Sequence, residues 1–201
     1  MKKSTKKMVM AALMAAFTCI ATMILKCPTP MSGYVHPGDG MVLLCGIVLG
    51  PVTGMISAGT GSMLADVFSG YFAWAPATFV IKALTAGIGG ALFYSLKYRS
   101  GSVRARNMVL VISGIAAEAV MVAGYFLYGA LLAAFAAGGF SADSLAIGAA
   151  AAAAGVPFNI VQGIMGIMIC ILLLPVLLKI TDIREWISDR TVRTEKTWKT
   201  N

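Results

Sequence analysis

The sequence predicts an all-α membrane protein: a six-transmembrane-helix bundle with cytoplasmic N- and C-termini and a short second helix. Three observations carry this. Of 201 residues, 59% are hydrophobic and only 12% charged, about half the charged fraction of an ordinary soluble domain. Apolar stretches at 8–25, 41–65, 73–96, 108–137 and 145–178 mostly reach the roughly 20 residues needed to cross a bilayer. Fourteen of the sixteen Lys and Arg residues fall in three clusters. These precede the first stretch (Lys2, Lys3, Lys6, Lys7), break the middle (Lys97, Arg99, Arg104, Arg106) or follow the last (Lys179, Arg184, Arg190, Arg193, Lys196, Lys199). The positive-inside rule assigns such clusters to the cytoplasm. Topology therefore accounts for the net charge of +8, better than a nucleic-acid or anionic-lipid patch does.

Helix 1 covers 8–25. MKKSTKK before an apolar run imitates a signal peptide, but the run is long and no A-x-A site precedes a polar start, so an uncleaved helix is expected. Residues 26–39 are then external and the basic break at 97–106 internal, which requires an odd number of crossings between them. Three fit if the chain breaks at Gly50-Pro51, because proline suits a helix start and disrupts an interior. Helix 2 is predicted at 38–50, helix 3 at 52–68 and helix 4 at 75–97, with Pro76 in its first turn. Helix 2 is too short to span alone and must be shielded by its neighbours. Helix 5 is predicted at 105–136, an external segment at 137–153 and helix 6 at 154–181. The alanine run at 149–154 reads as helix. Residues 1–180 form one bundle and 181–201 a cytoplasmic tail, with Trp186 suited to the membrane interface. Cys19, Cys27, Cys45 and Cys170 show no C-x-x-C pair and read as small buried hydrophobes rather than a disulfide or metal site.

A polar band crosses this apolar chain. His36 and Asp39 sit in the external loop or at the mouth of helix 2, Asp66, Tyr71 and Trp74 at the external ends of helices 3 and 4, and Lys82 two turns into helix 4. Glu118 and Tyr125 share a face of helix 5, with Tyr128 just round from them; Asn159 and Gln162 share a face of helix 6 below Pro157. Ionisable groups at membrane depth are costly and usually face a protein interior or a solute path. Convergence from five segments on the outer half is the pattern of a ligand pocket, apolar with a few placed polar groups. Each residue also has a structural reading. Asp39 can cap helix 2, Asp66 can accept donors from the Ser69-Gly70 turn, and Tyr71 and Trp74 can be interface aromatics. Lys82 can pair with Glu118 or Asp66, and Asn159 and Gln162 can bind helices together. Ala11/Ala15 and Ala12/Ala16 on helix 1 are small-xxx-small pairs that admit a close helix neighbour, inside or outside the bundle.

GYVHPGD (33–39), GSMLADVFSGYFAWAPATFVIKAL (61–84), AEAVMVAGYFLY (117–128) and VPFNIVQG (156–163) together resemble the substrate-binding S components of energy-coupling factor (ECF) vitamin transporters, across most of 8–180. The likeness is to the branch with riboflavin, hydroxymethylpyrimidine and pyridoxine types. It implies a six-helix bundle binding a vitamin near the external face, gated by external loop 1 (26–38). It also implies a transmembrane coupling protein and two cytoplasmic ATPases as partners, the former meeting Ala12 and Ala16 or, alternatively, Ala11 and Ala15. The loaded subunit of the family is proposed to topple in the membrane and release its cargo inward. FLYGA (126–130) departs from the family, in which an acidic residue often follows the tyrosine, so Tyr128 is not carried over as a contact.

The expected function is vitamin binding for an ATP-driven importer, without a cofactor in this chain, since it lacks a G-x-x-x-x-G-K-[ST] loop. Aromatics Tyr71, Trp74 and Tyr125 would stack on a flat ring, and Glu118, Asp66 or Asp39 would accept its donors. This favours a hydroxymethylpyrimidine- or pyridoxine-like heterocycle, with riboflavin possible. The alternative is a stand-alone ion-coupled transporter using Asp66, Lys82 and Glu118, against which stands the absence of an inverted repeat. An enzyme is the weakest reading: GTGSMLAD is not a G-x-S-x-G elbow, and the single histidine lies in a loop.

Overall fold

The computed structural model describes residues 3–24, 27–28, 34–96 and 102–199. Lys2, Lys97, Arg99 and most of the expected gating loop lie outside the described residues. Helices α1 (Lys3–Ile24), α2 (Asp39–Leu49), α3 (Pro51–Phe68), α4 (Ala75–Ser95), α5 (Val103–Ala136), α6 (Ala142–Ala153), α7 (Val156–Leu177) and α8 (Thr181–Lys199) make up nearly all of it. Strands β1 (Cys27–Pro28) and β2 (Tyr34–Val35) form one short antiparallel pair between α1 and α2. Ser4–Ile24, Ala75–Ser95, Val103–Ala136 and Val156–Leu177 are each long and apolar enough to cross a membrane.

The α2/α3 break falls at Gly50, whose φ of 79° is a left-handed conformation that glycine adopts without strain, and Pro51 opens α3. Prolines 76 and 157 likewise stand in the first turns of α4 and α7. With 11 residues α2 is about 16 Å long, half a membrane thickness. The shielding expected for it is present: ten of its residues are buried, between α1, α3, α4, α7 and α8. Val42, Leu44, Cys45, Ile47 and Val48 supply the centre of the hydrophobic core. Where α2 crosses α4, a Cβ on Gly46 would collide with the Ala86 carbonyl, and one on Gly90 would stand 2.7 Å from the Gly46 carbonyl carbon. The two backbones touch because neither residue carries a side chain.

One end of the bundle is basic. Arg190 of α8 donates to the Val48 carbonyl at 3.4 Å and fills the space beside Gly50. Lys6 of α1 pairs with Asp182 at 3.1 Å. Tyr94, near the end of α4, donates to the Ile47 carbonyl. The segment read as a tail therefore packs on the bundle as helix α8, with Ile183 and Ile187 buried in the main core. Its charged residues hide this in a window average, but Ile183 and Ile187 are four apart and share a face.

The segment expected as an external connection, 137–153, contains helix α6 lying along the far end of α5. Gly138 and Gly139, with φ of 113° and 115°, reverse the chain, and the Ser141 hydroxyl accepts the Ser144 N–H at 3.2 Å to cap the new helix. The helix reading of the alanine run holds.

Gly46→Val, which forces a side chain into the α2–α4 crossing, should destabilise the fold by about 1–3 kcal/mol or more. Thermal unfolding in detergent will show this as a lowered midpoint, while Ala91→Val on the exposed face of α4 should leave the midpoint unchanged.

Candidate functional site

The short α2 fixes the depth of the polar cluster. Asp39 is its first residue, so the carboxylate stands about 16 Å above the basic end. Lys82 lies 13 residues before the end of α4, and Gln162 lies 15 before the end of α7, both about 20 Å from that same end. Three helices thus deliver polar groups to one level, above the top of α2.

Lys82 donates to Asp39 Oδ1, and both side chains are completely buried. Gln162 Nε2 donates to Asp39 Oδ2 at 2.8 Å, while Gln162 Oε1 accepts the His36 backbone N–H at 3.1 Å. The Gly38 N–H donates to His36 Nδ1 at 3.1 Å, folding the loop back on itself. The network ties α2, α4, α7 and the loop before α2 into one unit. Losing one member of a buried ion pair strands a charge in low dielectric, which is why such pairs hold their geometry.

Two structural expectations are corrected here. Asp39 does not cap α2: it follows the N-cap Gly38, no side-chain capping bond is present, and its oxygens are taken by Lys82 and Gln162. Lys82 pairs with neither Glu118 nor Asp66, but with Asp39. Helix rotation decides between the three acids, and spacing along the chain does not encode it.

Rings cover the pair from the α4–α5 side. The Lys82 ammonium stands 5.1 Å from the Tyr125 ring centre, a cation–π contact. The Tyr125 hydroxyl donates to Thr78 Oγ1 at 3.3 Å. Trp74 stands 6.1 Å from Tyr125 and 5.4 Å, edge to face, from Tyr128, whose hydroxyl donates to the Ala73 carbonyl. Thr78 and Tyr128 were not predicted as contacts. Thr78 stands four before Lys82, on the same helix face, which was the available signal.

The remaining candidates are distributed around this centre. Asp66 is buried within electrostatic reach of Tyr125. In its turn the Ser69 N–H donates to the Ala65 and Asp66 carbonyls and the Tyr71 N–H to the Asp66 carbonyl. Tyr71 is half-buried, and its carbonyl accepts the Trp74 and Ala75 N–H groups. Glu118 is 4% exposed, packs on Gly163 and Gly166 of α7 near Asp39, and neither of its oxygens has a hydrogen-bond partner. Asn159 is half-buried, one turn from Gln162 on α7. Among the described residues no group of three or more His, Cys, Asp or Glu could hold a metal ion.

The two alanine pairs on α1 separate by face. Ala11 and Ala15 are half-buried against α3: Ser57 donates to the Ala11 carbonyl at 2.6 Å, and a Cβ on Gly61 would meet the Ala15 backbone. Ala12 and Ala16 are exposed, flanked by exposed Leu13, Phe17 and Ile20.

Fold and site define an integral membrane protein that houses an occluded polar core beneath a group of aromatic rings. The family model for the ECF-type riboflavin transporter S component matches residues 2–179, and the chain belongs to that family of transporter components, which are not enzymes. The structure reported as the S component of a bacterial ECF transporter superposes with a TM-score of 0.61, covering 88% of this chain and 97% of that one at 21% identity, a likeness of fold. A curated protein of Pyrococcus woesei, described as an uncharacterized protein in a gap 3′ region, is 43% identical over 72 residues, which are 35% of this chain and 48% of that relative. The chain spans about half the length of the curated relative it matches.

Lys82→Met, leaving Asp39 charged and buried, should lower stability by about 3–5 kcal/mol. The double variant Asp39→Asn with Lys82→Met should recover most of that loss; chemical denaturation in detergent compares the three proteins.

Proposed function

We propose that this chain is the substrate-specific subunit of an ATP-driven importer, a six-crossing bundle with both termini in the cytoplasm that captures a water-soluble vitamin from outside. The carrying observation is the Asp39–Lys82–Gln162 network, buried at one level and overlaid by Trp74, Tyr125 and Tyr128. Rings supply stacking surface, and acids, amide and ammonium supply directional bonds, the division of labour that small-molecule sites use. His36, Asp39, Asp66, Tyr71, Trp74, Lys82, Tyr125, Asn159 and Gln162 form the vitamin-facing set. Glu118, with its carboxylate oxygens buried beside Gly163 and Gly166 close to Asp39, belongs to the same set.

Asp39, Lys82 and Gln162 have essentially no exposure, so a solute reaches them only when a cover opens. The loop at 34–38 is that cover in our reading: two hydrogen bonds, to Gln162 and within the loop, hold it down. The basic clusters put the opposite end in the cytoplasm, where a transmembrane coupling protein and two ATPases would act on the loaded subunit. The outward face of Ala12 and Ala16 suits that coupling protein, because Ala11 and Ala15 are already used within the bundle.

The closely spaced rings favour a compact amino- or hydroxyl-bearing heterocycle of hydroxymethylpyrimidine or pyridoxine type. Riboflavin is the second reading, supported by the description of the family. A stand-alone transporter relaying ions through Asp66, Lys82 and Glu118 has less support, since the Lys82 ammonium is committed to Asp39.

Calorimetry on detergent-purified protein, without ATP, should show saturable binding of one of these three compounds, weakened about tenfold or more by Trp74→Ala through lost stacking. Absence of binding across the water-soluble vitamins would end the proposal. Ala12→Trp or Ala16→Trp should abolish ATP-dependent uptake by the assembled transporter while vitamin binding to the isolated subunit is retained.

A further inference from the structure

The polar core holds more acidic than basic side chains. Among the described residues Asp39, Asp66 and Glu118 are buried acids, and Lys82 is the one buried lysine or arginine. Asp39 and Lys82 answer each other, and Gln162 holds the second Asp39 oxygen. Glu118 is left over. It is 4% exposed, and neither carboxylate oxygen has a hydrogen-bond partner.

The surroundings of Glu118 explain why. Its side chain lies along α7 where two glycines leave room. A Cβ on Gly163 would stand 2.9 Å from the Glu118 Cβ and 3.4 Å from Oε2. One on Gly166 would stand 2.8 Å from the Asp39 Cβ and 3.3 Å from Glu118 Oε1. The carboxylate is thus packed among bare backbone and a second acid. Glycines bring no side-chain donor, and both Asp39 oxygens are already engaged.

Two neighbouring acids and one ammonium leave a place for one more positive charge, in a medium that does not solvate an isolated ion. A proton can fill it, and so can the cationic group of a solute. Position favours the solute. Glu118 lies 15 residues into α5, about 22 Å from its start at the basic end, level with Lys82 and Gln162. Tyr125 is seven residues further out on the same helix face, about 10 Å away, and Trp74 adjoins it. A ring lying against Tyr125, with a short arm pointing inward, bridges that distance. The arm's N–H donors then meet an ionised acceptor, the stronger kind of hydrogen bond.

We propose that the solute is an amine-bearing heterocycle that binds as its cation, with the charged N–H group docked on Glu118 beside Asp39. This rests on the vitamin reading and narrows it: Glu118 selects by charge, and the rings select by shape.

Calorimetry on detergent-purified protein at pH 7 compares pyridoxamine, pyridoxine and 4-pyridoxate, which are one ring carrying three charges. It also compares 4-amino-5-hydroxymethyl-2-methylpyrimidine with its 4-oxo analogue, which lacks the amine, and adds riboflavin and the other water-soluble vitamins. In the ring class that binds, the amine should bind at least about tenfold more tightly than its neutral counterpart, and 4-pyridoxate should not bind. Glu118→Gln should shrink the amine preference to within about twofold. A preference untouched by Glu118→Gln overturns the inference, the result expected if Glu118 holds a proton against Asp39 as a strut. Tighter binding of riboflavin, or of any other neutral or anionic vitamin, overturns it too. Both outcomes leave the vitamin reading standing. Should the Gln variant fail to fold, an amine no tighter than its neutral counterpart in the wild type overturns the inference alone. No binding of any compound removes the vitamin reading itself, and this inference with it.

Discussion

A lysine and an aspartate joined in the dry centre of a membrane bundle constrain everything around them. With no water to solvate either charge, the Asp39–Lys82 contact holds only while α2 and α4 keep their rotation and depth. Their backbones touch at Gly46 and Gly90, which brings the two helices close enough for the contact. The shortness of α2 places its first residue at mid-depth instead of at the membrane surface, so the loop before it descends into the bundle and lays His36 against Gln162. The pair, the glycine crossing and the truncated helix are one arrangement.

The arrangement divides the molecule by function. Below the polar level, α2 is surrounded by apolar side chains and closed off by α8, with Arg190 on the Val48 carbonyl near the end of α2. Above it the interior is aromatic and hydroxylic, with Trp74, Tyr125, Tyr128 and Thr78 in mutual contact. A rigid lower half and a loop-covered upper half suit a protein that holds a solute near one membrane face and presents its helix exteriors to partners.

Much of this was legible in the sequence because its strongest signals are local. Gly50-Pro51, Pro76 and Pro157 mark helix starts whatever the tertiary fold, and the observed starts at Pro51, Ala75 and Val156 follow them. The polar band was conspicuous against an apolar background, and most of its members meet. Which acid meets Lys82 was not legible, since Asp39, Asp66 and Glu118 were all within reach by topology and only helix rotation separates them. The docking of α8 was hidden because two isoleucines among charged residues do not raise its average hydropathy. The first half of helix α6 was missed, since only the alanine run at 149–154 read as helix and the glycine pair and serine cap at 138–141 gave no apolar periodicity to mark its start.

The central claim is that the buried pair organises a solute site and is not merely a strut. Small-molecule mass spectrometry of the purified protein, compared with that of the Asp39→Asn, Lys82→Met double variant, tests it most directly. The account predicts a heterocyclic vitamin or precursor released from the wild type and absent from the folded variant. The same compound carried equally by both proteins would contradict it.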